Sequence, residues 1–229
     1  MHIKFLGTGG AFDFEKGNAA AIVEVAGKNI LIDCGFSTLP RLVELDLAKT
    51  IDYILVTHLH ADHVGSLPAL LPYCKYRLEK EIPSIIIPNA AFQQETLDFL
   101  KVTYENERAH FVPISDFPEI GYIDTSNQHK PGMTSFAYYF SEKNSLIYYS
   151  GDIGNADVAA NFLKDRTESV IKVFHETSPM IDGIAHASYK EVEEKLGKYN
   201  PYVYHIAKEN MPDDCMLKYV EDHPEFLFS

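Results

Sequence analysis

The sequence contains no tryptophan and only three cysteines among its 229 residues. Cys34, Cys74 and Cys215 are widely separated and form neither a CxxC pair nor an even disulfide framework, which points to a reducing compartment. A metal site built from thiolates is therefore disfavoured. Any bound metal would need imidazole and carboxylate ligands, and the ten histidines of the chain can supply them.

Basic residues are also scarce. Twenty Lys and Arg stand against 33 Asp and Glu, which gives a formal net charge of −13, and no cluster of Lys or Arg offsets it locally. Because such an acidic surface repels phosphate backbones, we expect no stable nucleic-acid binding. With 46% hydrophobic and 23% charged residues, the composition is that of a folded chain rather than a disordered one.

Long apolar segments are missing as well. No apolar run approaches the ~20 residues needed to cross a bilayer. The first residues, MHIKFLGTGG, lack the basic and apolar regions of a signal peptide. We therefore expect no membrane partner and a cytoplasmic location.

Short β-branched runs alternate with helical patterns along the chain. The predicted strands are His2–Leu6, Ala20–Val25, Asn29–Asp33, Ile51–Val56, Ser84–Ile87, Phe111–Ile114, Ile120–Asp124, Ser135–Phe140, Leu146–Tyr149, Val170–Phe174 and Tyr202–Tyr204. The predicted helices are one that Pro40 opens, then Val64–Tyr76, Ala90–Tyr104, Ala156–Leu163, Lys190–Lys198 and Asp214–Asp222. Two groups of strands with helices after each favour an α/β fold, a four-layer αββα sandwich of two packed mixed sheets with helices outside. Because no repeat or Pro/Gly/Ser-rich linker interrupts the chain, a single domain over residues 1–229 is predicted.

The densest chemistry lies directly after one predicted strand, in the sequence THLHADH. Four potential metal ligands fall within six residues there: His58, His60, Asp62 and His63. On an extended chain the first three would point to one side, because side chains alternate. The last histidine would join them if the chain turns, and Gly65 allows a turn. So many imidazoles close together need a counter-ion or a metal.

Other candidate residues follow the predicted apolar strands. Asp33 follows NILI, Asp152 follows SLIYYSG, Glu176 follows VIKVFH and His205 follows YVY. Side chains that leave one edge of a sheet meet at a common rim, where α/β enzymes assemble their sites. His129 and His186 lie in polar loops. Each residue has an ordinary alternative, a helix cap for Asp or a solvated loop position for His, but together they indicate one site.

In this order the residues resemble the metallo-β-lactamase superfamily, and the resemblance covers nearly the whole chain. It rests on Asp33 in LIDCG, on HLHADH, on His129, on Asp152 in YSGD and on His205. The resemblance implies two Zn²⁺ ions, with Mn²⁺ as the alternative, and a metallo-β-lactamase fold. The implied ligands are His58, His60 and His129 for one metal, Asp62, His63 and His205 for the other, and Asp152 as the bridge. Asp33 is implied to orient a ligand from behind, as metal-bound histidines require.

The number of these ligands independently favours a dinuclear centre. Six groups and a bridging carboxylate exceed what one tetrahedral Zn²⁺ accepts, but they match two metals with an open position each. Two metals roughly 3.5–4 Å apart hold a hydroxide and clamp a leaving oxygen, which suits hydrolysis.

Two later segments, His175-Glu176-Thr177 and His186-Ala187-Ser188, resemble those of the ribonuclease Z-like phosphodiesterases. The resemblance implies that His186 is the general acid for the leaving alkoxide and that Glu176 orients it. A general acid in the right position typically increases the reaction rate by about 10²–10⁴-fold. Asp62 is counted with them as a catalytic residue. Gly7-Thr8-Gly9-Gly10 resembles the first turn of the family, either as a tight turn or as amides that face a phosphate.

The interval between His129 and Asp152 separates this chain from the transfer-RNA-processing enzymes, which carry an inserted arm there. Here it has only 22 residues of hairpin-like sequence. The acidic, armless chain is most similar to the anti-Pycsar type of cyclic nucleotide phosphodiesterases. That resemblance implies hydrolysis of cyclic mononucleotides (cCMP, cUMP, cAMP and cGMP) to counter host antiviral signalling, a homodimer whose partner helps to cover the pocket, and the host cytoplasm if the protein is phage-encoded.

Two alternatives stay open. One is a ribonuclease Z-like nuclease that acts on RNA or another small phosphodiester, and the other is a non-catalytic nucleotide-binding protein of the same fold. A lactamase or thioesterase fits less well, because it would leave Glu176 and His186 without a role. No residue is assigned to substrate binding.

Overall fold

The computed structural model describes residues 1–101, 109–180 and 185–228. Within these ranges the strands form two six-stranded sheets. The first sheet contains, in spatial order, β1 (His2–Gly7), β2 (Ala20–Val25), β3 (Lys28–Ile32), β4 (Tyr53–Leu55), β5 (Ser84–Ile87) and β6 (Phe111–Pro113). The second contains β7 (Ile120–Asp124), β8 (Phe136–Glu142), β9 (Ser145–Tyr149), β10 (Val170–Glu176), β11 (Tyr202–Tyr204) and β12 (Lys218–Tyr219).

Both sheets are mixed and follow the same plan. In the first, β1, β2 and β3 pair antiparallel, and β4, β5 and β6 continue in parallel. In the second, β7, β8 and β9 pair antiparallel, and β10, β11 and β12 continue in parallel. Parallel neighbours end at the same sheet edge, so the loops after them meet there.

The described helices connect these strands. They are α1 (Thr38–Glu44), α2 (Ala61–Val64), α3 (Leu67–Pro72), α4 (Ala90–Lys101), α5 (Asp157–Leu163) and α6 (Tyr189–Leu196). A π-helical turn, Tyr73–Arg77, continues α3. The Ser188 side chain caps α6 by accepting a hydrogen bond from the backbone N–H of Glu191. None of the described helices is both long enough and apolar enough to cross a membrane.

Two hydrophobic clusters define the layers. Between the sheets, the ring of Phe5 lies 5.4 Å from the rings of Phe174 and Tyr204. On the other face of the second sheet, Tyr148 packs in a separate cluster with residues of α5 and α6. Tyr148 and Tyr149 are adjacent in β9 but belong to opposite clusters, because successive strand side chains alternate. The predicted α/β sandwich of two packed mixed sheets is confirmed.

The helix predicted over Asp214–Asp222 is wrong. Lys218 and Tyr219 instead pair in parallel with β11 as β12, and a 3₁₀ turn follows at Val220–Asp222. The side chain of Tyr219 is buried. The apolar spacing suited a helix, but a free sheet edge offered backbone hydrogen bonds and a covered position for this ring.

The helix predicted over Val64–Tyr76 is divided. α2 ends at Val64, α3 starts at Leu67, and Pro72 near the end of α3 cannot donate the hydrogen bond that a regular helix needs. The helix near Pro40 begins earlier, at Thr38, and Val43 is exposed rather than part of its apolar side. The last predicted residues of the helix over Ala90–Tyr104, from 102 on, lie outside the described residues.

Candidate active site

The segment after β4 divides its four ligands between two directions. His58 and His60 lie in the connection between β4 and α2, and α2 begins at Ala61, with His60 as its extended N-cap residue. Asp62 and His63 therefore leave from the first turn of a helix. The predicted alternation is wrong for Asp62, because the chain turns before this residue and not at Gly65.

The first group of ligand atoms surrounds His60. His60 Nδ1 lies 2.9 Å from His58 Nε2 and 3.0 Å from His129 Nε2. Asp152 Oδ2 lies 3.9 Å from His58 Nε2 and 3.8 Å from His129 Nε2. A hydrogen bond between His129 Nδ1 and the carbonyl of Ala185 fixes its ring, at 2.7 Å. These four side chains form a compact set of three nitrogens and one oxygen.

The second group surrounds Asp62. Its Oδ2 lies 3.3 Å from both His63 Nε2 and His205 Nε2. Asp152 Oδ1 lies 3.3 Å from His63 Nε2, and Asp152 Oδ2 lies 3.5 Å from His205 Nε2. Asp152 thus belongs to both groups, at the position that the resemblance implied for a bridge.

The donor set fits divalent metal ions. Nitrogen ligands at 2.0–2.1 Å from a tetrahedral zinc lie roughly 3.3 Å from one another, close to the separations in the first group. His63 Nε2 and Asp152 Oδ1 are buried 3.3 Å apart, and neither makes a hydrogen bond of regular geometry with the described residues. An unsatisfied buried polar atom costs about 1–3 kcal/mol, which a metal contact would relieve. Imidazole and carboxylate together suit Zn²⁺ and Mn²⁺.

Asp33 supports the second group from behind. Its carboxylate is fully buried and accepts hydrogen bonds from the backbone N–H and the hydroxyl of Thr57, both at 2.8 Å. His63 Nδ1–H donates to Asp33 Oδ2 at 2.8 Å. Because Asp33 accepts the hydrogen of Nδ1, the neutral form of the ring carries its lone pair on Nε2, where it can bind a metal. Thr57 was missed in the sequence, although its position directly before HLHADH is a usable signal.

The two buried histidines His63 and His58 have pKa values shifted in opposite directions. Burial disfavours a charged His63, but the carboxylates of Asp152 and Asp33 outweigh it and raise the pKa of this imidazole well above 6.5. Burial and the neighbouring His63 hold the pKa of His58 well below 6.5, so this ring is neutral at pH 7. The metal-free centre therefore holds a proton where a ligand lone pair is needed.

Glu176 and His186 lie together beside the ligand groups. Glu176, at the end of β10, is fully buried, and its Oε1 accepts a hydrogen bond from the backbone N–H of Ile153 at 2.8 Å. His186 Nδ1–H donates to the same carboxylate at 3.1–3.2 Å. Burial alone would lower the pKa of His186, but the hydrogen bond to Glu176 raises it to about 9. The ring lies 4.9 Å from that of His129 and 5.5 Å from that of His205.

Backbone pairing holds the His186 segment in place. The N–H of Ser178 donates to the carbonyl of Ala187 at 2.9 Å, and the N–H of Ala187 donates to the carbonyl of Ile153 at 2.8 Å. Ile153 follows Asp152 in the chain, so the bridge position and the His186 segment are coupled through adjacent backbone. His175 is buried next to Tyr148, away from the ligand groups, because strand side chains alternate.

A cavity of about 790 Å³ opens beside His186 and His205. Its described lining residues include the acids Asp13, Glu15 and Glu209 but no Lys or Arg. The loop between β1 and β2 forms one side of it. Gly10 lets this loop approach closely, since a Cβ there would lie 3.0 Å from the carbonyl oxygen of His205.

The first turn, Gly7-Thr8-Gly9-Gly10, makes its backbone hydrogen bonds mainly within the loop between β1 and β2. The N–H groups of Thr8 and Gly9 donate to the carbonyls of Lys16 and Gly17, at 3.3 and 2.8 Å. These two amides are therefore not free to face a phosphate. The carbonyl of Thr8 accepts from the N–H of His205 at 2.7 Å, which ties the turn to the second ligand group.

Comparisons with known proteins identify a family of similar sequences. The family model described as "Anti-Pycsar protein Apyc1" matches residues 1–214. The Anti-Pycsar protein Apyc1 of Paenibacillus harenae is 28% identical over 84% of this chain and 83% of its own length. The protein of that name from Bacillus phage 010DV004 is 30% identical over 80% of this chain and 70% of its own length.

Solved structures share the fold. The metallo-beta-lactamase fold protein YhfI from Bacillus subtilis superposes with a TM-score of 0.68 at 17% identity, over 89% of this chain and 85% of that one. The short form of human tRNase Z has a TM-score of 0.62 at 20% identity, over 94% of this chain and 98% of that one.

Proposed function

This chain belongs to the Anti-Pycsar protein Apyc1 family, and from that premise we propose that it is a metal-dependent phosphodiesterase that hydrolyses 3′,5′-cyclic mononucleotides. One observation carries the proposal: two ligand groups share Asp152, and they lie beside the Glu176–His186 pair at the cavity. Metal ligands alone suit many hydrolases. The adjacent acid is what a phosphodiester with an alkoxide leaving group requires.

The ligand residues would hold two divalent cations, His58, His60 and His129 on one side and Asp62, His63 and His205 on the other, with Asp152 between them. When bound, such ions lower the pKa of a water molecule and offset the charge of a phosphate. Asp33 keeps His63 in the required tautomer. The two groups are positioned by backbone from both sheets, so the site is held by the core rather than by one loop.

His186 provides the proton for the leaving oxygen. Its Nδ1–H is engaged by Glu176, so Nε2 is the nitrogen that can give a proton. The raised pKa keeps this ring protonated at neutral pH. A leaving 3′ or 5′ alkoxide is strongly basic, so proton transfer in the transition state removes much of the barrier.

The charge of the cavity favours a small substrate. A cyclic mononucleotide carries one negative charge, whereas an RNA carries one at each phosphate. Asp13, Glu15 and Glu209 line the cavity, and its described lining contains no Lys or Arg for a second phosphate. We extend the proposal to the biological role that the relatives' name suggests, removal of cyclic nucleotides such as cCMP and cUMP that serve in Pycsar signalling. A homodimer that acts in the host cytoplasm is part of the same proposal.

The test is a substrate panel with purified protein and either Mn²⁺ or Zn²⁺. We expect hydrolysis of cCMP, cUMP, cAMP or cGMP and no cleavage of a precursor tRNA. The variants D152N and H186Q should lose activity, and D116N, an equivalent charge change at an exposed position, should retain it. If the protein cleaves precursor tRNA but hydrolyses none of the cyclic nucleotides, it is instead the nuclease. Tight cyclic nucleotide binding without turnover would establish the non-catalytic alternative.

A further inference from the structure

Two phenylalanines project from the loop between β1 and β2, residues 8–19, here called the β1–β2 loop. The side chains of Phe12 and Phe14 are 88% and 85% exposed. Both line the cavity that also contains His186 and His205. Within the described parts of the chain, neither ring packs against another aromatic ring. Exposed apolar groups of this size at a cavity mark a binding surface.

The β1–β2 loop holds these rings out on a folded backbone. At its base, the N–H groups of Thr8 and Gly9 pair with carbonyls on the returning segment. At its tip, the N–H of Gly17 donates to the carbonyl of Asp13 at 3.1 Å, and the N–H of Lys16 donates to the Asp13 carboxylate at 2.9 Å. The exposure of Phe12 and Phe14 is therefore a property of an ordered loop.

The position of the loop relative to the ligand groups suggests what the rings contact. The carbonyl of Thr8 is bonded to the N–H of His205, so the start of the loop is fixed to a residue of the second ligand group. A nucleotide whose phosphate lies at the ligand groups can place its base in the adjoining cavity, because His205 and His186 line that cavity. That cavity has aromatic faces on the loop side and polar groups such as Asn210 elsewhere on its wall.

We propose that Phe12 and Phe14 stack on the nucleobase of the substrate while its phosphate lies at the ligand groups, an assignment that rests on the proposed function. Every base has a π-face, so stacking on phenyl rings tolerates both purines and pyrimidines. Stacking of this kind changes affinity by about 5- to 150-fold per base. The two rings act on binding and not on proton transfer, since neither carries a titratable group.

The experiment measures kcat and KM for cAMP, cCMP and methyl ribofuranoside 3′,5′-cyclic phosphate, which has no base. F12A and F14A should raise KM for the two nucleotides about tenfold at unchanged kcat, and more for cAMP because of its larger face. KM for the baseless phosphate should not change. The matched control is M216A, which removes an apolar side chain that is 83% exposed and does not line the cavity.

Two further variants separate stacking from apolar contact. F12W and F14W retain an aromatic face and should restore the low KM, whereas F12L and F14L should not. Binding is read independently from 2-aminopurine riboside 5′-monophosphate, whose fluorescence is quenched when its base stacks. The wild type should quench it, and F12A and F14A should quench it less.

Failure of this assignment is distinct from failure of the proposed function. If the wild type hydrolyses cyclic nucleotides but F12A and F14A leave both KM and the quenching unchanged, the assignment is overturned. A changed elution volume in size-exclusion chromatography with unchanged KM would show that the rings contact a second copy of the chain, which also overturns it. If the wild type hydrolyses no cyclic nucleotide, the proposed function fails, and the quenching still decides whether the rings bind a base.

Discussion

Replacing Glu176 with glutamine should alter how the reaction depends on pH. The buried carboxylate accepts the hydrogen bond of His186 Nδ1–H at 3.1 Å and contributes most to raising the pKa of this imidazole to about 9. Glutamine has the same shape but no charge. Without the carboxylate, the pKa should fall to about its ordinary value of 6.5, because burial favours the neutral ring and only the weaker attraction of Asp152 and Asp62 opposes it.

The magnitude follows from these two pKa values. At pH 8 a group with a pKa of 9 is ~90% protonated and one with a pKa of 6.5 is ~3% protonated, so the acid-dependent rate should fall roughly 30-fold. At pH 6 both forms are mostly protonated, and the loss should be less than about twofold.

The assay is kcat/KM for a cyclic nucleotide from pH 6 to pH 10, with the metal content of each sample measured. A phosphodiester with a p-nitrophenolate leaving group needs no acid, so its hydrolysis should be insensitive to E176Q. E194Q, the same change at an exposed helix position, serves as the control. An equal loss at every pH, or a loss with the activated substrate as well, would refute the assignment of His186 as the acid that Glu176 supports.

Three further predictions follow from the site and the core. D33N should weaken metal binding about 10- to 100-fold in a chelator competition, because Asp33 orients His63, while the circular dichroism spectrum stays that of the folded protein. Metal binding should release protons and should tighten with rising pH up to the raised pKa of His63, because the metal and the proton compete for Nε2. Calorimetry in buffers of different ionisation enthalpy measures the number of protons released, and binding without proton release would contradict the prediction. L196A should lower the free energy of unfolding by about 2–5 kcal/mol in urea denaturation, because Leu196, the last residue of α6, is fully buried; a loss below 1 kcal/mol would be inconsistent with that packing.

Much of the candidate site was predictable because metal binding and proton transfer require particular types of residue. Metal ligands must be His or Asp side chains here, and a cluster as dense as HLHADH has few other uses. Strand ends were visible as apolar runs, which is why Asp152 and His205 could be related to the same rim. The two-sheet architecture followed from the grouping of strands.

The predictions were wrong where the local hydrophobic pattern favoured one structure and pairing with residues distant in the chain favoured another. The Asp214–Asp222 segment has helical spacing, yet β11 presented an edge with which Lys218 and Tyr219 pair. Glu176 was predicted as part of the site, but its complete burial was not visible in the sequence, because it depends on backbone of the distant Ile153 and Ala187 segments.

The amino-acid sequence alone thus specifies which groups are available for metals and for proton transfer, since a ligand or an acid must be of a given chemical type. Folding settles which of them act together. The early start of α2 sends Asp62 toward His205 rather than toward His58, and the base of the β1–β2 loop brings Phe12 and Phe14 to the cavity. Such proximity depends on backbone hydrogen bonds between residues far apart in the chain, and no local pattern encodes those.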